Sequence, residues 1–423
     1  MVIHVYRAVA ALEPRACSIV VGHQRDQVMD ALQDKPVDFV VQEQQLGTGH
    51  AVSEFLTQNP LIQGQLLVMN GDTPLVLSTT LRTLVSLHKE RKAAISLLTT
   101  EYHNPSGYGR ILRNAQGMIE AIVEEADANE KQRAVKEVNA GIYVFDMARL
   151  RRLLPQVQPA NSQKEYYLPD VIPAALRDNQ IVLPLRVSPD EVMGINTKVE
   201  LAEVQRAMRK RINEQWMIRG VMMHDPATSY IDVDVQFGSD VVLYPNVYLE
   251  GETLIGAEVT IYPNCRVTNA YIDRQCVLYE NSSIDSAHLE SGVKVGPFAR
   301  IRPDSYLQSG ARIGNFVELK KTFVGEGSKA NHLSYLGDAT IGKNVNIGAG
   351  TITCNYDGEK KHPTVIEDEV FIGSNTQLIA PVKVQKGAYI AAGSSITEDV
   401  PAGSLAIARA RQVNKENWKP KKK

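Results

Sequence analysis

The chain has 423 residues, enough for two or three domains that each bury a sizeable core. Its 46 Lys and Arg nearly balance its 48 Asp and Glu, so composition points to neither nucleic acid nor an anionic membrane as a partner. The four cysteines (Cys17, Cys265, Cys276, Cys354) show no CxxC spacing, no apolar run approaches a membrane span, and no signal-peptide pattern opens the chain; a cytoplasmic protein with reduced thiols is expected.

Residues 1–196 read as an α/β domain. Ser18-Ile-Val-Val-Gly, Val37-Asp-Phe-Val-Val, Gln65-Leu-Leu-Val-Met and Ala94-Ile-Ser-Leu-Leu are predicted buried strands, with helices over Arg25 to Leu32 and Gly49 to Thr57. Strands alternating with helices predict a largely parallel sheet. Arg110-Ile-Leu and Met118 to Val123, joined through Asn114-Ala-Gln-Gly, predict an inserted hairpin. Gln45-Leu-Gly-Thr-Gly-His follows a strand and opens a helix, where glycines let a phosphate reach backbone amides; a plain tight turn explains the same residues. Asn70-Gly-Asp72 closes an apolar strand, where α/β folds carry ligand residues. Asp72 there either holds Mg²⁺ against phosphates or caps a turn.

Residues 197–220 predict a helical linker. Leu201, Val204, Met208, Ile212 and Trp216 recur at three and four and mark one apolar face, while Arg206, Arg209, Lys210 and Arg211 read as solvated surface.

From about Val241 the chain keeps a six-residue period. Leu243, Leu249, Ile255, Ile261 and Val267 stand six apart, each preceded two residues earlier by Val241, Val247, Thr253, Val259 or Cys265. The register slips by one and resumes at Ile272, Leu278 and Ile284. It slips again and runs through Leu289, Val295, Ile301, Leu307, Ile313 and Leu319. A last run covers Ile366, Ile372, Leu378, Val384, Ile390 and Ile396. Residues at i and i+6 fall on opposite faces of an α-helix, so each hexad is a short strand plus a turn. Three hexads close a triangular coil, and stacked coils bury the aliphatic column. Residues 221–410 are therefore a predicted parallel β-helix. Two interruptions, Phe323 to Thr340 and Cys354 to Val365, are expected to leave the coil as loops and to carry the site. Residues 411–423, ending in Lys419-Pro-Lys-Lys-Lys, form a basic tail expected to be solvated.

Arg300 and Arg302 flank Ile301 and so share an outer face; Glu318, Lys320 and Lys321 surround Leu319. His332 and Tyr335 follow in the first interruption. A lone histidine is usually structural or a surface group, but beside Glu318 and basic residues a general base oriented by a carboxylate is the competing reading. His288, His332 and His362 show no metal-ligand spacing.

Several longer stretches carry a family resemblance. In the first half they are Gln42-Glu-Gln-Gln-Leu-Gly-Thr-Gly-His, Asn70-Gly-Asp-Thr-Pro-Leu, Gly107-Tyr-Gly-Arg-Ile, Ile122-Val-Glu, Asn139-Ala-Gly-Ile and Gly194-Ile-Asn. In the second they are Gly296-Pro-Phe-Ala-Arg-Ile-Arg-Pro, Gly314-Asn-Phe-Val-Glu-Leu-Lys-Lys, His332-Leu-Ser-Tyr-Leu-Gly-Asp and Asn346-Ile-Gly-Ala-Gly-Thr-Ile-Thr-Cys-Asn-Tyr-Asp-Gly. Over essentially its whole length the chain resembles the bacterial bifunctional enzymes that are both glucosamine-1-phosphate N-acetyltransferases and N-acetylglucosamine-1-phosphate uridylyltransferases. The resemblance implies a Rossmann-like nucleotidyltransferase domain followed by a left-handed β-helix of hexapeptide repeats. It also implies a cytoplasmic homotrimer with the acetyltransferase site between subunits. The product would be UDP-N-acetylglucosamine, a precursor of peptidoglycan and outer-envelope glycolipid.

By that resemblance His332 is the base that takes a proton from the glucosamine amine, supported by Glu318. Arg302, Lys320, Tyr335 and Lys361 would hold the sugar phosphate, and Asn346 would help place the sugar. Ala349, Asn355, Tyr356, Ser374, Ala392 and Arg409 would line the acetyl-CoA site. In the first half Gln42, Gly47, Thr48, Asn70, Gly71, Gly109, Glu124 and Asn139 match nucleotide-sugar positions, and Asp72 and Asn196 match Mg²⁺ ligands. The substrates implied are glucosamine-1-phosphate, acetyl-CoA, UTP and N-acetylglucosamine-1-phosphate.

Two departures stand out. The family opens with a strand, a glycine-rich loop carrying basic residues, and a downstream Lys, whereas Met1-Val-Ile-His-Val already matches the helix that follows them. The first domain is therefore expected to be incomplete and its uridylyl transfer impaired. Asn70 stands where the family usually has Tyr. Two other readings remain at this point: a single-activity sugar nucleotidyltransferase whose β-helix only builds oligomers, and a non-catalytic nucleotide-sugar-binding scaffold.

Overall fold

The computed structural model describes residues 1–419; the last four residues of the expected basic tail lie outside the described residues. The chain divides into two compact units, Met1–Ala207 and Met208–Lys423.

The first unit contains the predicted strands as Ser18–Val21, Asp38–Val41, Gln65–Val68 and Ile95–Glu101, with helices Arg25–Leu32 and Thr48–Gln58. The expected largely parallel sheet is corrected to two sheets of different sense. Ser18–Val21 pairs in parallel with Asp38–Val41, and this pair is a sheet of its own. The six-stranded sheet is organised by Glu137–Asp146, which runs antiparallel to both Gln65–Val68 and Ile95–Glu101. This strand does not stand out in the sequence because Asn139 and Gly141 break its apolar run. The predicted hairpin forms as Arg110–Arg113 and Ile119–Val123 and joins the sheet where Arg110 pairs with Val138. Alternation along the strands supplies a core on each face: Leu97 and Phe145 enter one cluster, Leu98, Ile142 and Val144 the other.

Helix Lys198–Ile218 spans the linker. In its second-unit part Ile212 is buried, and Met208 and Trp216 pack against the same core. One charged-face residue departs from the expectation of solvated surface: the Arg209 guanidinium lies over the Tyr230 ring, 4.6 Å from its centroid.

The second unit has three all-parallel sheets of ten, nine and eleven strands, each joining every third strand in sequence except where Leu405–Ala406 pairs with Tyr389–Ile390 at the end of the eleven-stranded sheet. Leu243, Leu249 and Ile255 are buried on successive strands that belong to three different sheets. One triangular coil therefore takes three hexads. Gln236 pairs with Leu254, eighteen residues on, and Leu254 with Tyr271, seventeen on. The slips in the period are these shorter coils. Every inward residue of the predicted runs is at most 4 % exposed. Corners turn through residues of positive φ, among them Asp240, Asn246, Asn264 and Asn281, the residue types that tolerate that conformation best after glycine.

One expectation is overturned here. Residues 323–340 are not a loop: Phe323–Val324, Lys329–His332 and Tyr335–Gly337 are wall strands in unbroken register, with Phe323 opposite Thr340 and Leu319 opposite Leu336. Their inward residues are Val324, Ala330 and Leu336, all buried. A shortened coil and a small alanine in the core column hide the period. The second interruption is real. Residues 355–363 leave the coil between Ile352–Cys354 and Thr364–Ile366, closed by a bridge between Tyr356 and Lys361.

All four cysteines are unpaired. Burial pushes the Cys265 thiol up to about 12 and the Cys276 thiol to about 11, which makes both poor nucleophiles. Among the described residues no helix is long and apolar enough to cross a membrane.

Candidate active sites

In the β-helix unit, the corner joining the eleven- and ten-stranded walls collects the first group. His332 ends strand Lys329–His332. The pairs Lys329 to Asn346, Asn346 to Phe371 and Phe371 to Tyr389 bring Ala349, Ser374 and Ala392 to the same corner of the next three coils. Corner-to-corner bonds hold this stack: Gly350 N–H donates to the Leu333 carbonyl (3.0 Å), Asn375 N–H to Ala349 (2.7 Å) and Gly393 N–H to Ser374 (2.8 Å). Arg409 reaches back to donate to the Ala392 carbonyl at 2.6 Å. Four residues far apart in sequence thus form one line, each coil advancing it by about 4.8 Å. Asn346 lies three residues before Ala349 on the adjoining wall strand, half-buried.

Beside this corner, the outer face of the ten-stranded wall collects the second group. Ile301, Leu319 and Leu336 point inward in register. Arg300, Glu318 and Tyr335 therefore form one outer column, and Arg302 and Lys320 begin the next. The Arg302 guanidinium donates to the Glu318 carboxylate at 2.9 Å. The expected support of His332 by Glu318 is not drawn as a bond: Glu318 holds Arg302, and the exposed His332 ring makes no hydrogen bond among the described residues.

The 355–363 loop completes this group. Inside it the Asp357 carboxylate accepts the N–H groups of Glu359 (2.8 Å) and Lys360 (2.7 Å) and pairs with His362 Nε2 at 2.6 Å. Those bonds hold the Asp357 carboxyl far below the usual carboxylate range, the Lys360 N–H contributing most. Tyr356 is exposed at the base of the loop. The Lys361 amine is held below its ordinary value, first by the hydrogen bond it accepts from Lys320 and then by the charges of Lys320 and Arg302. Lys320 is held above, by Lys361 and by Asp338. Lys320 Nζ donates to Asp338 Oδ2 at 3.3 Å, and the same oxygen accepts the Asn355 side-chain amide. Three converging cations against two carboxylates, on a face lined by a tyrosine, make a site for a phosphate.

The sequence alone does not single out Asp338. With φ of 49° it reads as one more corner residue, and its partners come from neighbouring coils.

In the first unit a cavity of about 380 Å³ opens where Ser18–Val21 and Asp38–Val41 end, lined by Gly22, Arg25, Gln42 and Gln45 among others. The Gln42 side-chain amide donates to the Gly47 carbonyl at 3.2 Å and meets His50 Nδ1 at 2.9 Å. Gly47 has φ of 103°, and a Cβ there would come 2.7 Å from the Tyr166 carbonyl oxygen, so only glycine fits. Thr48 spends its hydroxyl as acceptor for Leu168 N–H (3.1 Å), fixing the loop across the helix start.

A second cluster surrounds the strand Glu137–Asp146. Gly109 sits so close to Glu124 that a Cβ would lie 2.9 Å from its carboxylate. Burial, reinforced by Asp170 and Asp127, raises the Glu124 carboxyl above its ordinary value. The Asn139 side chain accepts Gly141 N–H at 3.1 Å and donates to the Tyr143 hydroxyl at 2.6 Å. The Asn70 amide packs against Gly141. Glu200 is common to the surroundings of Asp72 and Asn196. Asn196 N–H donates to the Glu200 carboxylate at 2.7 Å. Burial first, and the Glu200 charge in addition, raise the Asp72 carboxyl above its ordinary value, against the pull of a backbone N–H. Asp72 Oδ1 is buried and unbonded among the described residues, which fits a carboxylate built to meet a cation.

Comparison with known proteins gives the family. The Nucleotidyl transferase model matches residues 1–187, and the model for the hexapeptide repeat of succinyl-transferase matches residues 363–398. The bifunctional protein GlmU of Carboxydothermus hydrogenoformans is 47 % identical over 420 residues, covering 99 % of this chain and 93 % of that protein. The GlmU proteins of Trichlorobacter lovleyi (47 %, covering 96 % and 88 %) and Clostridium botulinum (44 %, covering 100 % and 92 %) are similar over comparable spans. These spans do not support the expected truncation. Neither a single-activity enzyme nor a scaffold describes relatives that are named bifunctional. With a nucleotidyltransferase unit followed by a left-handed β-helix of hexapeptide repeats, the chain belongs to the family of bifunctional GlmU proteins.

Proposed function

We propose that this bifunctional enzyme of UDP-N-acetylglucosamine synthesis uses the β-helix unit to acetylate glucosamine-1-phosphate and the first unit to join the product to UTP. The carrying observation is the line of His332, Ala349, Ser374 and Ala392 down one corner beside the Arg302, Lys320 and Lys361 cations. The corner takes acetyl-CoA along Ala349, Ser374, Ala392 and Arg409, with Asn355 and Tyr356 closing over it from the loop base. The cations and Tyr335 hold the sugar phosphate, and Asn346 orients the sugar. His332 removes a proton from the amine as it attacks the thioester carbonyl. The Ala349 N–H, which donates to no acceptor among the described residues, is aimed to stabilise the oxyanion, and CoA leaves as the thiolate.

In the first unit Gln42, Gly47, Thr48, Asn70, Gly71, Gly109, Glu124 and Asn139 hold the nucleotide sugar. Asp72 and Asn196 would hold Mg²⁺, which supplies neutralisation of triphosphate charge when bound. A phosphate oxygen of N-acetylglucosamine-1-phosphate attacks the α-phosphorus of UTP in line, and pyrophosphate leaves. The protein works in the cytoplasm as a homotrimer with these small molecules as its partners.

One purified sample is to be assayed twice, for CoA release from acetyl-CoA and glucosamine-1-phosphate and for pyrophosphate release from UTP and N-acetylglucosamine-1-phosphate. Both activities are expected; absence of CoA release from a folded protein would refute the proposal.

The depressed Lys361 proton affinity gives a pH signature. As pH rises towards the ordinary lysine value of about 10.4, Lys361 gives up its proton in the free enzyme before an unperturbed lysine would. A dianionic phosphate restores its proton, so binding takes up protons and weakens as pH rises through the lowered value. Calorimetric titration with glucosamine-1-phosphate in two buffers of different ionisation heat is expected to show this uptake, and K361A to lose it.

A further inference from the structure

We infer that Asp338 is a positioning residue for acetyl transfer: it ties Lys320 to Asn355 and fastens both ends of the loop that delivers Lys361. The inference rests on the reading of Arg302, Lys320 and Lys361 as the sugar-phosphate site.

Four bonds meet on this one residue. Its Oδ2 accepts from Lys320 Nζ at 3.3 Å and from the Asn355 amide. Its N–H donates to the Lys320 carbonyl at 2.9 Å, and its carbonyl accepts the Thr364 N–H at 3.1 Å. Asn355 is the first residue of the loop and Thr364 the first after it, so side chain and carbonyl together clamp the two stems. A further stem bond, from His362 N–H to the Asn355 carbonyl at 2.8 Å, ties the loop's last turn to the residue Asp338 holds.

The surroundings explain why a carboxylate is needed. Asp338 is 15 % exposed and Lys320 18 %, and Asn355 is buried at 7 %. The charged and titratable groups facing the pair are Arg302, Glu318, Tyr335 and Lys361. Glu318 is engaged by Arg302, so Asp338 is the carboxylate that offsets the Lys320–Lys361 repulsion. Removing it leaves two ammonium groups to move apart, one of them on a loop that has lost its clamp. A neutral side chain of the same shape keeps part of the clamp and loses the charge.

Asp338→Ala and Asp338→Asn are compared with the unaltered enzyme and with Lys320→Ala, by CoA release as each substrate is varied, with melting temperature as the folding control. D338A is expected to raise KM for glucosamine-1-phosphate and for acetyl-CoA at least about tenfold, with kcat reduced less. D338N keeps the fold and is expected to show a smaller rise. Its alkaline limb of kcat/KM for the sugar phosphate moves to lower pH, because Asp338 favours the charged form of both lysines. A merely structural role would not move that limb. If K320A raises the sugar-phosphate KM while both Asp338 variants leave KM and the limb unchanged, the inference fails and the phosphate site stands. A lower sugar-phosphate KM in D338N would also overturn it, since the carboxylate would then act only as a repulsive charge. If K320A itself leaves the sugar-phosphate KM unchanged, the site reading falls and takes this inference with it.

Discussion

His332→Ala is expected to reduce the kcat of acetyl transfer about 10²- to 10⁴-fold, the range for loss of a positioned general base, with KM for both substrates nearly unchanged. The ring stands exposed at the corner and bonds to no group among the described residues, so its removal leaves no buried partner unsatisfied and stability should shift by no more than about 0.5 kcal/mol. The cations proposed to hold the phosphate lie on the adjoining wall and in the 355–363 loop and are untouched. Glu318→Gln provides the contrast. Because that carboxylate holds Arg302 at 2.9 Å, its loss should appear in the KM for the sugar phosphate. A kcat loss in E318Q as deep as that in H332A would mean the carboxylate orients the base during turnover. Unchanged CoA release by H332A would remove His332 from the chemistry.

The two sites differ in how much of them is legible in the sequence. In the β-helix the inward column announces itself every sixth residue, because the axis is filled almost throughout by aliphatic side chains. The same regularity conceals the site. His332, Ala349, Ser374 and Ala392 share a corner only when the coil lengths are known, and the 355–363 loop shifts the spacing between the second and third of them. Ala330 conceals one coil altogether, since a single methyl fills its place in the core column and breaks the aliphatic pattern. Asp338 is hidden for a related reason: its four bonds go to Lys320 one coil before, Thr364 one coil after and Asn355 in the loop. In the first unit the short apolar strands are visible, but their sense is not. Glu137–Asp146 orders the larger sheet as an antiparallel strand, and periodicity carries no information on direction. The unbonded Asp72 oxygen is likewise a property of burial, which a sequence does not record.

That oxygen leads to the second large effect. Asp72→Asn is expected to lower uridylyl transfer about 10²- to 10³-fold, as when a charge-stabilising group is lost from a phosphoryl-transfer site, while CoA release by the same sample stays unchanged. Stability should move the other way. The Asp72 carboxyl is raised above its ordinary value in the folded state by burial and by Glu200. The native state therefore holds its proton to higher pH than the unfolded chain does. The resulting penalty is absent at low pH, grows as pH rises from the unfolded value towards the folded one, and is fully present above it. Asparagine removes the charge, so without divalent metal D72N should melt higher at neutral pH, by about 2–4 °C for each kcal/mol relieved in a unit of this size. Mg²⁺ with UTP should raise the melting temperature of the unaltered enzyme and leave D72N nearly unmoved, because only a ligand that binds the native state stabilises it. Undiminished pyrophosphate release by D72N, together with an unchanged response to Mg²⁺, would show that the buried carboxylate meets no cation and is strained for another reason.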